Sequence, residues 1–126
     1  MAVHGIVVSV ILGKTENDVS TLQVSGYLDI TTAAELENAL AGLLQDDHCK
    51  VVVDLSRVTY ISSAGWGIFI GEIKGIRNQG GDLKLAGMTS EVYEVFQLLE
   101  FQSILESYAS AEEAVTAFEK SGAKQT

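Results

Sequence analysis

No proline occurs anywhere in this chain. Every bend must then be made by Gly, Asn, Asp or Ser, and native-state prolyl isomerisation is excluded. Cys49 is the sole cysteine. It rules out an internal disulfide framework and fits a reducing compartment. Histidine is scarce too: His4 and His48 stand in unrelated polar settings, little material for a Ser-His-Asp constellation. No Cys/His spacing suggests a metal, and there is no Gly-x-x-x-x-Gly-Lys-Ser/Thr phosphate loop. The nucleophile elbow Gly-x-Ser-x-Gly fails around Ser63, because Ile61 occupies the place of the first glycine. No catalytic activity, metal or cofactor is therefore expected.

Lysine and arginine number 8 against 17 acidic residues, for a formal charge of -9. Nucleic-acid phosphates call for a basic footprint that these scattered cations do not make. No uncharged apolar run approaches a membrane span, and no basic-then-apolar leader opens the sequence. The expectation is a soluble cytoplasmic protein with no direct membrane insertion.

What is present reads as one domain. At 126 residues, 47% of them hydrophobic, the chain can build a core without staples. Residues 6–12 and 19–25 read as strands of a hairpin around a polar turn at 14–18, with Leu22 and Val24 on one face. Thr32-Ala33-Ala34-Glu35 has the form of a capping box. Leu36, Ala39, Leu40, Leu43 and Leu44 then give a helix its apolar stripe. Val51, Val52, Val53 and Leu55 form a strand covered on both faces, which should end where Asp54-Leu55-Ser56-Arg57 brings in polar residues. From Ala64 the period changes, and Trp66, Phe69, Ile70, Ile73 and Ile76 fall at helical spacing. Asn78-Gln79-Gly80-Gly81 stops that helix.

Leu83, Leu85 and Ala86 make a short strand. Ser90 opens a third helix with Val92, Val95, Phe96 and Leu99 inward, and residues 104–108 a last, weak strand. Ser110-Ala111-Glu112-Glu113 is a second capping box, before Ala114, Val115 and Phe118 on the core side. The order β-β-α-β-α-β-α-β-α argues for an α/β fold with a mixed sheet of about five strands and about four helices. Residues 1–119 form the domain and 120–126 a frayed tail. Nothing in the pattern forms a heptad seam or a long bare edge strand, so a monomer, or at most a weak dimer, is expected.

The joint between the central strand and the second helix carries two serines, Ser62 and Ser63, at or next to the N-cap. The stretch DLSRVTYISSAGWGIFIGEIKGIRNQGG resembles the signature of STAS domains, the anti-sigma factor antagonist family. Gly26-Tyr27-Leu28-Asp29, Gly80-Gly81-Asp82-Leu83-Lys84-Leu85 and the segment 108–114 resemble further motifs of that family, in order, so the likeness spans roughly residues 5 to 118. It implies the STAS fold and no enzymatic role.

The resemblance also implies a partner switch. The unphosphorylated domain would bind an anti-sigma factor serine kinase, and phosphorylation of a serine two residues before the Ser-x-Gly glycine would release it. A PP2C-type phosphatase would reset the switch. Gly65 places that serine at Ser63, with Ser62 as the alternative acceptor. Phosphorylated members of the family carry an acidic residue where this chain has Ser62. The family's partner-facing surface maps onto Tyr27, Asp29, Ser62, Gly65 and Trp66. Tyr27 replaces a charged residue often seen there.

Other readings stand beside these. Either serine could be a cap alone, and Asp29 or Thr31 could cap the first helix. The domain could instead be a scaffold in a stressosome-like or transporter-associated complex, without Ser63 phosphorylation. A small enzyme using the strand-to-helix turn as a phosphate cradle is a rival that the absence of lysine there argues against. Gly67, Gly71 and Gly75 recur every four residues, which suggests close packing against a strand or helix, or a partner groove. Lys74 and Arg77 suit the helix's negative end.

Overall fold

The computed structural model describes residues 5–13 and 18–124, and only the backbone of 121–124. His4 and most of the polar turn expected at 14–18 lie outside the described residues. Strands β1 (Ile6–Ile11), β2 (Ser20–Leu28), β3 (Lys50–Ile61), β4 (Asp82–Ala86) and β5 (Glu106–Tyr108) form one sheet in that order. β1 and β2 are antiparallel, and β2, β3, β4 and β5 are mutually parallel. This is the mixed sheet that the element order implied.

Each parallel crossover steps one strand in the same direction, so the helices between strands collect on one face. Helix α1 (Ala33–Gln45), helix α2 (Ser63–Asn78) and helix α3 (Ser90–Leu98) bury Leu36, Leu40, Phe69, Ile76, Val92 and Phe96 against Val51, Val53, Leu55, Leu83 and Leu85. Helix α4 (Ala111–Lys124) lies on the opposite face, where Ala114 and Phe118 meet Val52 and Ala86. It covers only the β3–β5 half. No described element covers the β1–β2 half of that face, and a polar trough there is lined by Val7, Ser9, Gln23, Ser25 and Arg57.

That bare half explains the largest departure from expectation. β3 does not end at Arg57 but runs on to Ile61. Val58 and Ile61 continue its buried side, pairing with Gly26 and Leu28, while two bulges absorb the extra residues. The polar residues mark an uncovered face, not a strand end.

Several smaller expectations also change. Thr32 does not cap α1: its hydroxyl accepts from the Asp29 N–H (3.0 Å) and donates to the Tyr27 carbonyl (2.9 Å). Helix α3 spans only 9 residues and buries a single narrow stripe, so Val95 and Leu99, expected inward, are 38% and 49% exposed. Helix α4 continues to Lys124 where a tail was expected from Lys120. Gly67, Gly71 and Gly75 pack against no described residue, for a β-carbon at each would meet open space.

Lys84 was not singled out by the sequence, yet it is buried in β4 under α4. Its ammonium donates to Glu106 Oε1 (2.6 Å) and lies 4.6 Å from the Phe118 ring centroid. Tyr108 also donates to Glu106 Oε1 (2.6 Å), and Asp82 receives both Lys84 and Arg77. These five side chains join the end of α2 to β4 and β5.

Candidate functional site

β2 and β3 finish side by side, with Leu28 opposite Ile61, and the Ser62 N–H donates to the Leu28 carbonyl (2.8 Å). The segment after β2 and the start of α2 therefore leave the same end of the sheet, tied by that bond. Carboxyl ends of adjacent parallel strands are where α/β folds present functional loops.

The two serines have different geometry. Ser62 is the N-cap of α2, extended at φ -82° and ψ 174°, and its hydroxyl accepts from the Gly65 N–H at 3.4 Å. Ser63 is the first helical residue and is exposed. Its hydroxyl makes no hydrogen bond to any described residue. Ser62 is thus engaged in structure, and Ser63 displays a free hydroxyl at the positive end of a 16-residue helix.

Gly65 allows this placement. A β-carbon there would lie 2.9 Å from both Leu28 Cβ and Ile61 Cγ2 and 3.1 Å from the Leu28 carbonyl oxygen. Trp66 follows beneath, 2% exposed, with ring centroids 5.3 Å from Phe101, 5.8 Å from Phe96 and 6.2 Å from Phe69. Its indole N–H is buried with no hydrogen-bond partner. Gly65 and Trp66, grouped with the partner-facing residues by resemblance, are buried and support Ser63 from below.

Asp29 begins the neighbouring loop. Its Oδ1 accepts from the Thr31 hydroxyl (2.6 Å) and the Thr31 N–H (2.8 Å). The Thr31 hydroxyl bond is the largest influence and, with the Thr31 and Thr32 amides, it holds the Asp29 carboxyl below its ordinary range against the opposing effect of desolvation. The loop is thus a locked turn with a fixed negative charge. Asp29 and Thr31 shape it without capping α1. Tyr27 is exposed and turns away from helices α1–α3. The regular alternation along β2 puts it on the sheet face opposite α1–α3, where it pairs with Tyr60 and its ring lies over Gly5.

Two apolar features near the serines were not read from the sequence. Ile30, beside Asp29, is 83% exposed. A mainly apolar groove between the end of β3 and α3 is lined by Tyr60, Ile61, Trp66, Val92 and Val95, with Thr59 and Glu91 as its polar members. Ile30 could have been flagged as the lone apolar residue in a polar loop; the groove depends on tertiary packing. Among the described residues, no group of three or more His, Cys, Asp or Glu side chains is placed to hold a metal.

The family model of the STAS domain matches residues 11–114. The anti-sigma-B factor antagonist of Staphylococcus aureus (strain NCTC 8325 / PS 47) is 28% identical over 91 residues, covering 72% of this chain and 84% of that protein. The structure of an anti-sigma factor antagonist from Mycobacterium paratuberculosis superposes with a TM-score of 0.80 at 24% identity, covering 90% of this chain and 94% of that one. The anti-sigma factor antagonist SpoIIAA in its unphosphorylated form gives a TM-score of 0.75 at 16% identity, covering 90% and 97%.

Proposed function

The chain belongs to the STAS domain family, and on that premise we propose that it is an anti-sigma factor antagonist working by partner switching. Unphosphorylated, it binds an anti-sigma factor serine kinase, and phosphorylation of Ser63 releases it. A PP2C-type phosphatase restores the binding form, and the cycle runs in the cytoplasm. The protein serves as ligand and phosphoryl acceptor and contributes no catalytic group.

One observation carries the choice of residue: the Ser63 hydroxyl is exposed and unbonded, while the Ser62 hydroxyl caps the helix. Phosphate on Ser63 would add about −1.5 to −2 charges at the positive end of α2, where the free domain tolerates them. A partner pressed against the same spot would have to desolvate that dianion. Modification therefore separates the proteins without unfolding this one. Ile30 and the groove lined by Val92 and Val95 supply apolar surface for the bound state. Support also comes from relatives named as anti-sigma factor antagonists and from a structural neighbour distinguished by its unphosphorylated form.

The test is capture of the protein with its partners from native cytoplasm, followed by intact-mass and peptide analysis. One phosphate on the peptide holding Ser62 and Ser63, with a co-purifying ATPase, is the expected result. Absence of both would leave a STAS scaffold without phosphoregulation.

A further inference from the structure

The two edges of the sheet are built differently. The β5 edge is 3 residues long, and its Glu106 is engaged with Lys84, so it is short and charged. The β1 edge carries six strand residues, and not one residue from Gly5 to Gly13 is charged. Val7, Val10, Ile11 and Leu12 on or beside it are 57%, 46%, 53% and 58% exposed. Among the described residues of this edge none of the protecting devices is present: no proline, no lysine, no inward charge. The sequence-based expectation of a monomer, or at most a weak dimer, rested in part on the absence of such an edge.

We propose that β1 is a homodimer interface, in which β1 pairs antiparallel with β1 of a second copy around a two-fold axis through Ser9. The backbone sets which groups are free. Gly5 accepts from the Tyr27 N–H at 2.7 Å, so with the alternation of an antiparallel ladder the odd-numbered residues turn their amides and carbonyls to β2. Ile6, Val8 and Val10 turn theirs outward.

A two-fold axis normal to the sheet maps each face onto itself, so paired residues must have the same parity. With the axis at Ser9, Val7 meets Ile11 of the second copy on the bare face, and Val8 meets Val10 on the helix face. Ile6 comes opposite Leu12. Each exposed apolar side chain then finds an apolar partner, and Val8 and Val10 make the hydrogen-bonded pairs. An axis at Val8 would instead set Val7 against Ser9. The uncharged strand also lets two copies of charge -9 approach at the one edge that carries no like charge.

Sedimentation equilibrium of the full chain over a micromolar to millimolar series tests this. The expected result is a reversible monomer–dimer equilibrium that tightens with added salt, because screening removes repulsion between two acidic copies. Val10→Pro removes an outward N–H that no intramolecular bond uses, and Ile11→Lys places a charge opposite Val7. Each should weaken the dimer about tenfold or more, with the far-UV spectrum and thermal midpoint of the monomer retained. Ser9→Cys in a Cys49→Ser background should cross-link on oxidation, since facing residues of a non-hydrogen-bonded pair lie about 4.5 Å apart at Cα, within disulfide reach. Val10→Cys in the same background should not. A wild-type chain that stays monomeric throughout overturns the proposal. So does a dimer that survives both substitutions while Ser9→Cys fails to cross-link.

Discussion

Gly65 and Leu28 approach so closely that a β-carbon on the glycine would lie 2.9 Å from Leu28 Cβ. The contact seats the first turn of α2, which carries Ser63, on the end of β2 from which the Asp29 loop leaves. Gly65→Ala should cost stability, because Leu28 and Ile61 are core residues with little room to yield. A loss of about 1–3 kcal/mol is expected for such overpacking, despite alanine's better helix propensity. Urea unfolding followed by tryptophan fluorescence measures it. A neutral or stabilising result would show that the helix shifts freely, and that the Ser-x-Gly spacing is not set by this contact.

Trp66→Ala should be more costly. The ring is the largest fully buried side chain and touches Phe69, Phe96 and Phe101, which come from α2, α3 and the short turn after it. Removing a buried aromatic of this size costs about 3–5 kcal/mol. Since the substitution removes the fluorophore, circular dichroism during urea unfolding is the measurement. A loss below about 1 kcal/mol would mean that the residue contributes little to the core.

Much of this was legible in the sequence. The stripe from Trp66 to Ile76 and the apolar run Val51–Val53 keep the period of their elements, and the structure buries them apart from Ile70, which is only partly covered. What stayed hidden depends on partners far along the chain. Arg57 looks like a strand terminus until β2 is known to pair alongside it. Val95 looks inward until α3 is seen to bury only Val92 and Phe96. Lys84 reads as an alternating surface residue, because Glu106, Tyr108 and Phe118, which make its burial tolerable, are contributed by β5 and α4. At the site, the Ser62–Ser63 pair was legible, but which hydroxyl is engaged was not. That is decided by the cap geometry.

The Lys84–Glu106 pair gives the fold a pH signature. Burial pulls the Lys84 pKa down, but the Glu106 hydrogen bond and neighbouring negative charge outweigh it and raise it above 10.5. Glu106 is held below 4.5, chiefly by Lys84 and then by the Tyr108 hydroxyl. A depressed acid stabilises above its unfolded pKa, and that contribution fades as pH falls through the folded value. A raised base stabilises below its unfolded pKa, and that contribution fades as pH rises through the folded value. Glu106→Gln should thus destabilise at neutral pH, and the gap from wild type should narrow as pH falls below 4.5 toward the lowered Glu106 value and as it rises above 10.5 toward the raised Lys84 value. The Glu106 side chain is 54% exposed, so screening holds the neutral-pH loss near 1 kcal/mol. Replacing both ions, Lys84→Met together with Glu106→Leu, should be close to neutral, as apolar replacement of a whole ion pair often is. A wild-type gap independent of pH in urea titrations would refute the assignment.

The switch itself makes the sharpest demand. Ser63→Ala should leave the thermal midpoint unchanged, because the hydroxyl bonds to no described residue. It should also block phosphorylation and keep binding to the anti-sigma kinase constitutive. Ser63→Asp should weaken that binding, though less than phosphate does, since it carries one charge and fewer acceptor oxygens. Ser62→Ala should behave oppositely. Its cap bond is long, so its loss should cost about 0.5–1 kcal/mol while modification at Ser63 proceeds. Intact-mass analysis after incubation with the kinase and ATP, with binding measured by calorimetry, separates the outcomes. Phosphate found on Ser63→Ala but not on Ser62→Ala would move the acceptor to the capping residue, and the helix would then have to give up its cap on every cycle. If neither variant changes binding to any ATPase, the exposed hydroxyl of Ser63 has no regulatory role.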